Sequence, residues 1–183
     1  MTNTRARIEA RVGQEGLVWR ESADGMACLE LAAGDLAGLA AQLKSACDFE
    51  ICTLVTAIDH YPRASPGRFE IVWQLQSLTL GDRLRLFATA AGEPPTAPSV
   101  THLWPGAAYL ERECYDLFGV VFEGHQDFRG RSNLRRILMP EAFEHHPLRK
   151  DFPHQGIEPD KLYKRWDAAR RRGAQEGTQA GPS

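Results

Sequence analysis

The 183-residue sequence contains no run of about 18 consecutive apolar residues, so we expect no helix that spans a membrane. Its first residues, MTNTRARIEARVGQ, lack the apolar core of a secretory signal, and Ile8 and Val12 are spaced as in a short amphipathic helix. The net charge of only −2 excludes a global field that attracts nucleic acid or anionic membranes. With 43% hydrophobic and 25% charged residues, the composition is that of an ordinary globular domain.

Cysteine is scarce and never occurs as a CxxC pair: the four cysteines stand alone at Cys28, Cys47, Cys52 and Cys114. This spacing argues against an iron–sulfur cluster or a cysteine-bound zinc within the chain. Phosphate-loop, dinucleotide-binding and Ser/His/Asp patterns are also absent. We therefore predict no catalytic, cofactor-binding or metal site, and we interpret the cysteines as reduced, buried thiols.

The periodicity of residues 1–120 predicts an α+β domain with a mostly antiparallel sheet and packed helices. GLVWRESADGMACLELAA is typical of a hairpin, and GDLAGLAAQLKSAC predicts a helix with Asp35 as its N-cap. FEICTLVTAIDH is apolar on both faces, as expected for a central strand. RFEIVWQLQSL and RLRLFATA alternate between apolar and polar residues and predict two strands joined by a turn at Gly81 and Asp82.

A proline-rich connector, AGEPPTAPS, is expected to end the sheet, and PGAAYLERECYDLFG then predicts a second core helix. Pro105 suits the first helical position and Gly119 the position just after the helix. Within this helix, Glu113 and Asp116 share a face, so an acid–base pair is conceivable. The spacing alone favours the alternative, a helix surface with salt bridges.

From Val120 the periodicity fails, and we expect residues 121–173 to be an extended docking segment ordered by a partner rather than by a core. It would end in a short basic helix, DKLYKRWDAARRRG, followed by a disordered tail at 174–183. Within it, HHPLRKDFPH is kept out of a helix by Pro147 and Pro153.

Four of the six histidines lie in this segment, which raises a metal site and a metal-dependent hydrolase as alternatives. However, HExxH and C2H2 spacings are absent, and the adjacent His145 and His146 would point to opposite sides of an extended chain. Histidines in contact with solvent or a partner are therefore favoured. The arginines of LRRIL and PLRK suit bidentate binding of carboxylates, so a carboxylate-bearing protein partner is favoured over nucleic acid.

Three sequence motifs, here called words, resemble the 30 kDa subunit family of proton-pumping NADH:quinone oxidoreductase, respiratory complex I. In chain order they are VTHLWPGAAYLERECYDLFGVVFEGH, LRRILMPEAFE and HPLRKDFP. The resemblance covers about 55 residues closely. Its motif and partner-contact residues fall on the following positions: Glu111, Arg112, Glu113, Asp116, Gly119, His125, Arg135, Arg136, His146, Pro147, Arg149, Lys150 and Asp151.

The chain departs from the family pattern twice. QDFRGRSN occupies a gap where the family runs almost directly from the histidine into the Leu-Arg-Arg word, so it is interpreted as a loop insertion. His145 stands where a glycine usually precedes the His-Pro pair.

The resemblance implies a subunit of the translocase that itself holds no cofactor, while FMN, iron–sulfur clusters and quinone belong to the parent complex. Its implied partners are the quinone-site subunit, which helps form the quinone pocket, and neighbouring iron–sulfur subunits of the peripheral arm. The implied location is peripheral, on the cytoplasmic side of the cell membrane. Equivalent subunits of a ferredoxin-dependent photosynthetic-type complex or a membrane-bound hydrogenase are the nearest alternatives.

Overall fold

A computed structural model describes residues 3–64, 67–141, 143–153 and 156. Its elements are, in chain order, α1 (Asn3–Val12), β1 (Val18–Arg20), β2 (Ala27–Leu31), α2 (Leu36–Ala46), β3 (Ile51–Asp59), β4 (Phe69–Gln76), β5 (Arg83–Thr89), β6 (Thr96–Pro98), α3 (Ala107–Phe118) and β7 (Val121–Glu123). The predicted basic helix around 160–173 and the tail at 174–183 lie outside the described residues.

The main sheet has five strands in the order β1-β2-β5-β4-β3. The pairs β1–β2, β5–β4 and β4–β3 are antiparallel, whereas β2 and β5 run parallel. The prediction of an α+β fold with a mostly antiparallel sheet is therefore confirmed. The N-terminal hairpin is confirmed as well, because β1 and β2 pair across a turn in which the Gly25 N–H donates to the Ser22 carbonyl at 3.0 Å.

One face of the sheet is buried beneath the helices, as the alternation in the strands predicted. The side chains that form this core from β4, β5, α1 and α2 are Phe69, Ile71, Trp73, Leu75, Leu84, Leu86, Ala88, Ile8, Leu36, Leu39, Ala40 and Leu43. Burying one large apolar side chain contributes about 1.5–3 kcal/mol relative to leaving it exposed. All four cysteines are free and buried, and burial raises the pKa of Cys52 to about 12, so this thiol stays protonated at neutral pH.

β3 lies at the edge of the sheet, so the prediction of a central strand is wrong. Its register with β4 places Ile51, Leu54 and Ile58 on the sheet face opposite to the core, where each is more than a third exposed. These apolar side chains on the outer face produced the two-sided apolar pattern that normally identifies a central strand.

Asp35 occupies the N-cap position of α2, as predicted, but its side chain makes no capping hydrogen bond. A short 3₁₀ turn at Ala33–Asp35 leads directly into the helix, and Asp35 itself has helical backbone angles, φ −89° and ψ −12°. The position of the cap was therefore predicted correctly and its mechanism was not.

α3 begins at Ala107, with Gly106 as its N-cap, so Pro105 stands just before the helix rather than inside its first turn. The helix ends at Gly119, as predicted, with a left-handed φ of 78°. Two short strands were missed in the sequence. β6 lies in the proline-rich connector, and it pairs parallel with β7, which follows Val120.

Candidate functional site

Helix α3 carries two carboxyl side chains into the interior of the protein. Glu111 and Asp116 are fully buried, whereas Glu113 between them is exposed. The expectation of a salt-bridged helix surface is therefore wrong for Glu111 and Asp116. Because an unpaired charge is costly to bury, the groups that surround each carboxylate determine whether the fold tolerates it.

Glu111 is surrounded by hydrogen-bond donors from the segment before α3 and from the segment after β7. The Ser99 hydroxyl lies 2.8 Å from Oε2, and the Val100 N–H donates to Oε1 at 2.8 Å. Nδ1 of His125 lies 2.7 Å from Oε2. His125 is itself buried, so the prediction of a histidine in contact with solvent or a partner is wrong there. The Glu111–His125 contact thus ties the segment after β7 to α3.

Asp116 lies in a cradle made by residues 136–139. The N–H groups of Ile137, Leu138 and Met139 donate to Oδ2 at 3.0, 2.7 and 2.7 Å, and Nη1 of Arg136 donates to Oδ1 at 2.7 Å. Burial alone would raise the pKa of Asp116, but these N–H donors and the guanidinium outweigh it and lower that pKa below its usual range. The carboxylate is therefore charged at neutral pH and fully engaged in holding residues 136–139.

The last four carbonyl groups of α3, which a helix cannot satisfy internally, all find donors. The Tyr115 carbonyl accepts from the Gly119 N–H at 2.8 Å, and the Asp116 carbonyl lies 2.9 Å from Nδ1 of His146. The Leu117 carbonyl accepts from the Leu148 N–H at 3.1 Å. The Phe118 carbonyl accepts from Nε of Arg149 at 2.6 Å.

We name residues 143–153 the C-terminal strap, because this segment lies across the end of α3 and continues to the end of β3. At β3, Asp59 accepts two hydrogen bonds from Arg68 at 2.9 Å and the Lys150 N–H at 2.9 Å. Arg68 also pairs with Asp151 of the strap at 2.9 Å. Burial by itself would raise the pKa of Asp59, but the Arg68 guanidinium and the backbone donors bring that pKa below its ordinary value.

The remaining predicted site residues divide into inward and outward groups. Arg112 donates to the Arg135 and Arg136 carbonyls at 3.1 and 2.9 Å, which fixes the Leu-Arg-Arg word on α3. Pro147 is half-buried, whereas the Arg135 and Lys150 side chains are exposed. The expectation that Arg136 binds a carboxylate on a partner is wrong, because Arg136 is paired with Asp116 of the same chain.

Sequence reasoning missed Asp59, Arg68 and Ser99. Asp59 and Arg68 could have been found, because Asp59 ends β3 and Arg68 directly precedes β4. These two strands pair antiparallel, which brings the two side chains together. Across the described ranges, no group of three or more His, Cys, Asp or Glu side chains is arranged to hold a metal ion. In the same ranges, no helix is long and apolar enough to cross a membrane.

Comparison with known proteins identifies the family of this fold. Residues 29–158 match the family model of the respiratory-chain NADH dehydrogenase, 30 Kd subunit. The chain belongs to this 30 kDa subunit family. The resemblance drawn from the three motif words is thereby confirmed, and the matched range includes α3, its two buried carboxylates and the strap.

Curated relatives of the 30 kDa subunit family agree with this assignment. The chain is 44% identical over 122 residues to the NADH-quinone oxidoreductase C subunit of Trichlorobacter lovleyi, covering 67% of this chain and 71% of that protein. It is 45% identical over 109 residues to its counterpart in Salinispora tropica, covering 60% of this chain and 42% of that protein. The chain thus spans less than half the length of some curated relatives that it matches.

Two solved structures have the same fold. A trypsin-resistant fragment of Nqo5 superposes with a TM-score of 0.58 at 35% identity, covering 70% of this chain and 100% of the fragment. A chain of an archaeal respiratory membrane complex, the membrane-bound sulfane sulfur reductase, gives a TM-score of 0.64 and covers 89% of each chain. At 21% sequence identity, that second likeness concerns the fold alone.

Proposed function

We propose that this chain is a non-catalytic structural subunit in the peripheral arm of a proton-translocating NADH:quinone oxidoreductase. In that complex, electrons pass from NADH through FMN and iron–sulfur clusters to quinone, and these groups are held by other subunits. This chain supplies a scaffold on the cytoplasmic side of the cell membrane. Its partners are the quinone-site subunit and the neighbouring iron–sulfur subunits.

The observation that carries the proposal is the match of residues 29–158 to the 30 kDa subunit family. The site geometry supports a structural role, because both buried carboxylates of α3 are occupied by internal hydrogen bonds. Neither Glu111 nor Asp116 faces an open space in which a substrate could receive a proton. General acid–base chemistry needs a titrating group within reach of substrate, and these two carboxylates lack that access.

A docking role is supported by the outward side of the same region. Leu138 and Leu148 are more than half exposed although they lie beside the tightly bonded end of α3. The Arg135 and Lys150 side chains are exposed nearby, and within the described residues neither has an ion pair. Apolar side chains bordered by cations are suited to a protein partner that offers both apolar and acidic groups.

The test is to purify an affinity-tagged version of this chain from its own membranes and identify the subunits that co-purify. We expect the subunits of an NADH:quinone oxidoreductase, and deletion of the chain should abolish NADH:quinone reductase activity in membranes. The isolated chain, purified without added metal, should be colourless and redox-silent. Recovery with a different set of electron-donor subunits, or stoichiometric flavin, iron or zinc in the isolated chain, would overturn the proposal.

A further inference from the structure

The insertion between His125 and the Leu-Arg-Arg word forms a loop that is closed by its own hydrogen bonds. The Asp127 carboxylate accepts the N–H groups of Arg129 and Arg131 at 2.8 and 3.0 Å, and Nε of Arg131 at 3.1 Å. The Asp127 N–H donates to the Arg131 carbonyl, and the Gly130 N–H to the Asp127 carbonyl, each at 2.8 Å. We name residues 127–131 the basic loop.

Both ends of the basic loop are fixed to the domain. Before it, the Gln126 N–H donates to the buried Thr101 hydroxyl at 3.1 Å. After it, Leu134 packs against the hydrophobic core, and Arg112 holds the Arg135 carbonyl at 3.1 Å. The loop is therefore a preorganised projection, and such a projection loses little conformational entropy when it binds a partner.

The tip of the basic loop presents an aromatic ring and a cation to solvent. The Phe128 side chain is 65% exposed, and the Arg129 guanidinium lies 5.2 Å from the centre of its ring. In the part of the chain that the structure describes, Arg129 has no ion pair. Exposed aromatic residues and arginines are the types most enriched where protein interfaces gain their binding energy.

The charge of the loop specifies the chemistry of its partner. Its one acid, Asp127, has a side chain only 8% exposed and is occupied by Arg131, whose own side chain is 63% exposed. Arg129, before Arg131 in the chain, and Arg135, after it, add further exposed positive charge. The surface that the loop offers is therefore cationic around an apolar centre.

We propose that the basic loop docks onto an acidic surface of another protein subunit, with Phe128 as the apolar contact and Arg129 as the cation that pairs with a carboxylate. The inference rests on the proposed function in placing the chain within a larger assembly. It adds a contact that is separate from the strap, because the basic loop takes no part in the bonding of Asp116 or Asp59.

The first test places the photo-cross-linking residue p-benzoylphenylalanine at position 128 in the assembled, membrane-bound complex. After irradiation, we expect a cross-link that mass spectrometry maps to a segment rich in Asp and Glu on one other subunit. Cross-links only to phospholipid, only within this chain, or to no molecule would overturn the proposal.

The second test reverses the charge. Arg129→Glu should lower the yield of assembled complex several-fold and make it dissociate at lower salt, since close interface charges fix register and affinity. The matched control is Arg63→Glu, which makes the same charge change at another exposed arginine and should leave the yield unaltered. Changing the cross-linked partner carboxylate to Lys should restore the Arg129→Glu complex.

Equal yields for Arg129→Glu and Arg63→Glu would overturn the loop inference. The thermal melting of the isolated full chain should be the same for both variants, because the Arg129 guanidinium lies over the exposed Phe128 ring and joins no ion pair among the described residues. Failure of the proposed function is a distinct result: the tagged chain would then be recovered without NADH:quinone oxidoreductase subunits. In that case the cross-link at position 128 still reports whether the loop meets an acidic protein surface.

Discussion

The Nη2 atom of Arg149 lies 2.5 Å from the position that a side-chain Cβ on Gly119 would occupy. Two ring atoms of His146 lie 2.7 Å from the same point. Gly119 therefore has two functions: its φ of 78° ends α3, and its missing side chain lets the strap lie directly against the helix end.

Replacing Gly119 by alanine should destabilise the protein by more than the backbone strain alone. A left-handed residue other than glycine costs about 1–2 kcal/mol, and the overlap with Arg149 and His146 adds roughly 1–3 kcal/mol. The control is Gly81→Ala, at a φ of 69° with no atom within 4 Å of the added Cβ. Urea unfolding of both variants measures the difference, and equal destabilisation would contradict the close approach of the strap.

The end of α3 was predictable because glycine after an amphipathic helix has a local, steric cause. The alternation in β4 and β5 predicted their inward faces for the same reason, since the strand period is set by the backbone. By contrast, β6 and β7 have three residues each, too few to show alternation, and β6 contains Pro98. α3 lies between β6 and β7 in the chain, so their pairing is a long-range contact that depends on how α3 packs.

The burial of Glu111 and Asp116 could not be deduced from helical spacing. A charged residue on a helix is normally exposed, and the donors that permit burial come from residues 99, 100, 125 and 136–139, distant in sequence. The expectation from the resemblance that Arg136 contacts a partner is wrong, because the carboxylate that it pairs with, Asp116, lies within the chain. The internal hydrogen bonds of the strap, from the Leu148 and Lys150 N–H groups, were also missed, because their acceptors lie far away in the sequence.

Asp116→Asn should cost roughly 3–5 kcal/mol of unfolding free energy, because it removes one member of a buried ion pair and leaves Arg136 without its carboxylate. The matched control is Glu113→Gln on the same helix, where the side chain is exposed and surface changes stay within about 0.5 kcal/mol. Chemical unfolding of the isolated chain compares the two. Similar small effects would mean that the three N–H donors hold residues 136–139 without the charge.

The stability of the strap should fall on mild acidification through His146. Burial lowers the pKa of His146, and the adjacent Arg149 and Arg136 guanidiniums lower it further, against the opposing effect of Asp116. The unfolded chain therefore binds a proton more readily than the folded chain, so the stabilisation is present above the ordinary histidine pKa of about 6.5 and is lost as pH falls below it.

Unfolding free energies measured between about pH 7.5 and 5.5 should decrease for the natural chain and decrease less for His146→Asn, and aspartates, which titrate near pH 4, do not contribute in this range. The asparagine amide nitrogen occupies the position of Nδ1 and can still donate to the Asp116 carbonyl, so the variant separates charge from hydrogen bonding. Identical pH slopes for the two proteins would show that His146 does not contribute.

Amide hydrogen exchange in the isolated chain should reveal protected sites within the strap. The Leu148 N–H donates to Leu117 and the Lys150 N–H to Asp59, so both should exchange more slowly than the free-loop rate. Asp59→Asn should accelerate exchange at Lys150 more than at Leu148, because of these two N–H groups only that of Lys150 donates to the Asp59 carboxylate. Rapid exchange at both sites in the natural chain would contradict these internal hydrogen bonds and would support the expectation from sequence that a partner orders this segment.

The two sides of the strap should separate folding from assembly. The Leu148 side chain is 52% exposed while its N–H holds Leu117, so Leu148→Asp keeps the internal bond and alters only the outward surface. We expect the unfolding free energy to change by no more than about 0.5 kcal/mol, and the yield of assembled complex to fall, since a charge replaces an apolar contact.

The control is Leu78→Asp, the same change at a side chain that is 63% exposed in the turn after β4, which should assemble normally. Complex yield and quinone reductase activity per assembled complex are then compared for the two variants. If Leu148→Asp assembles as well as Leu78→Asp, the outward side of the strap does not bind a partner, and the strap would serve only to satisfy the end of α3.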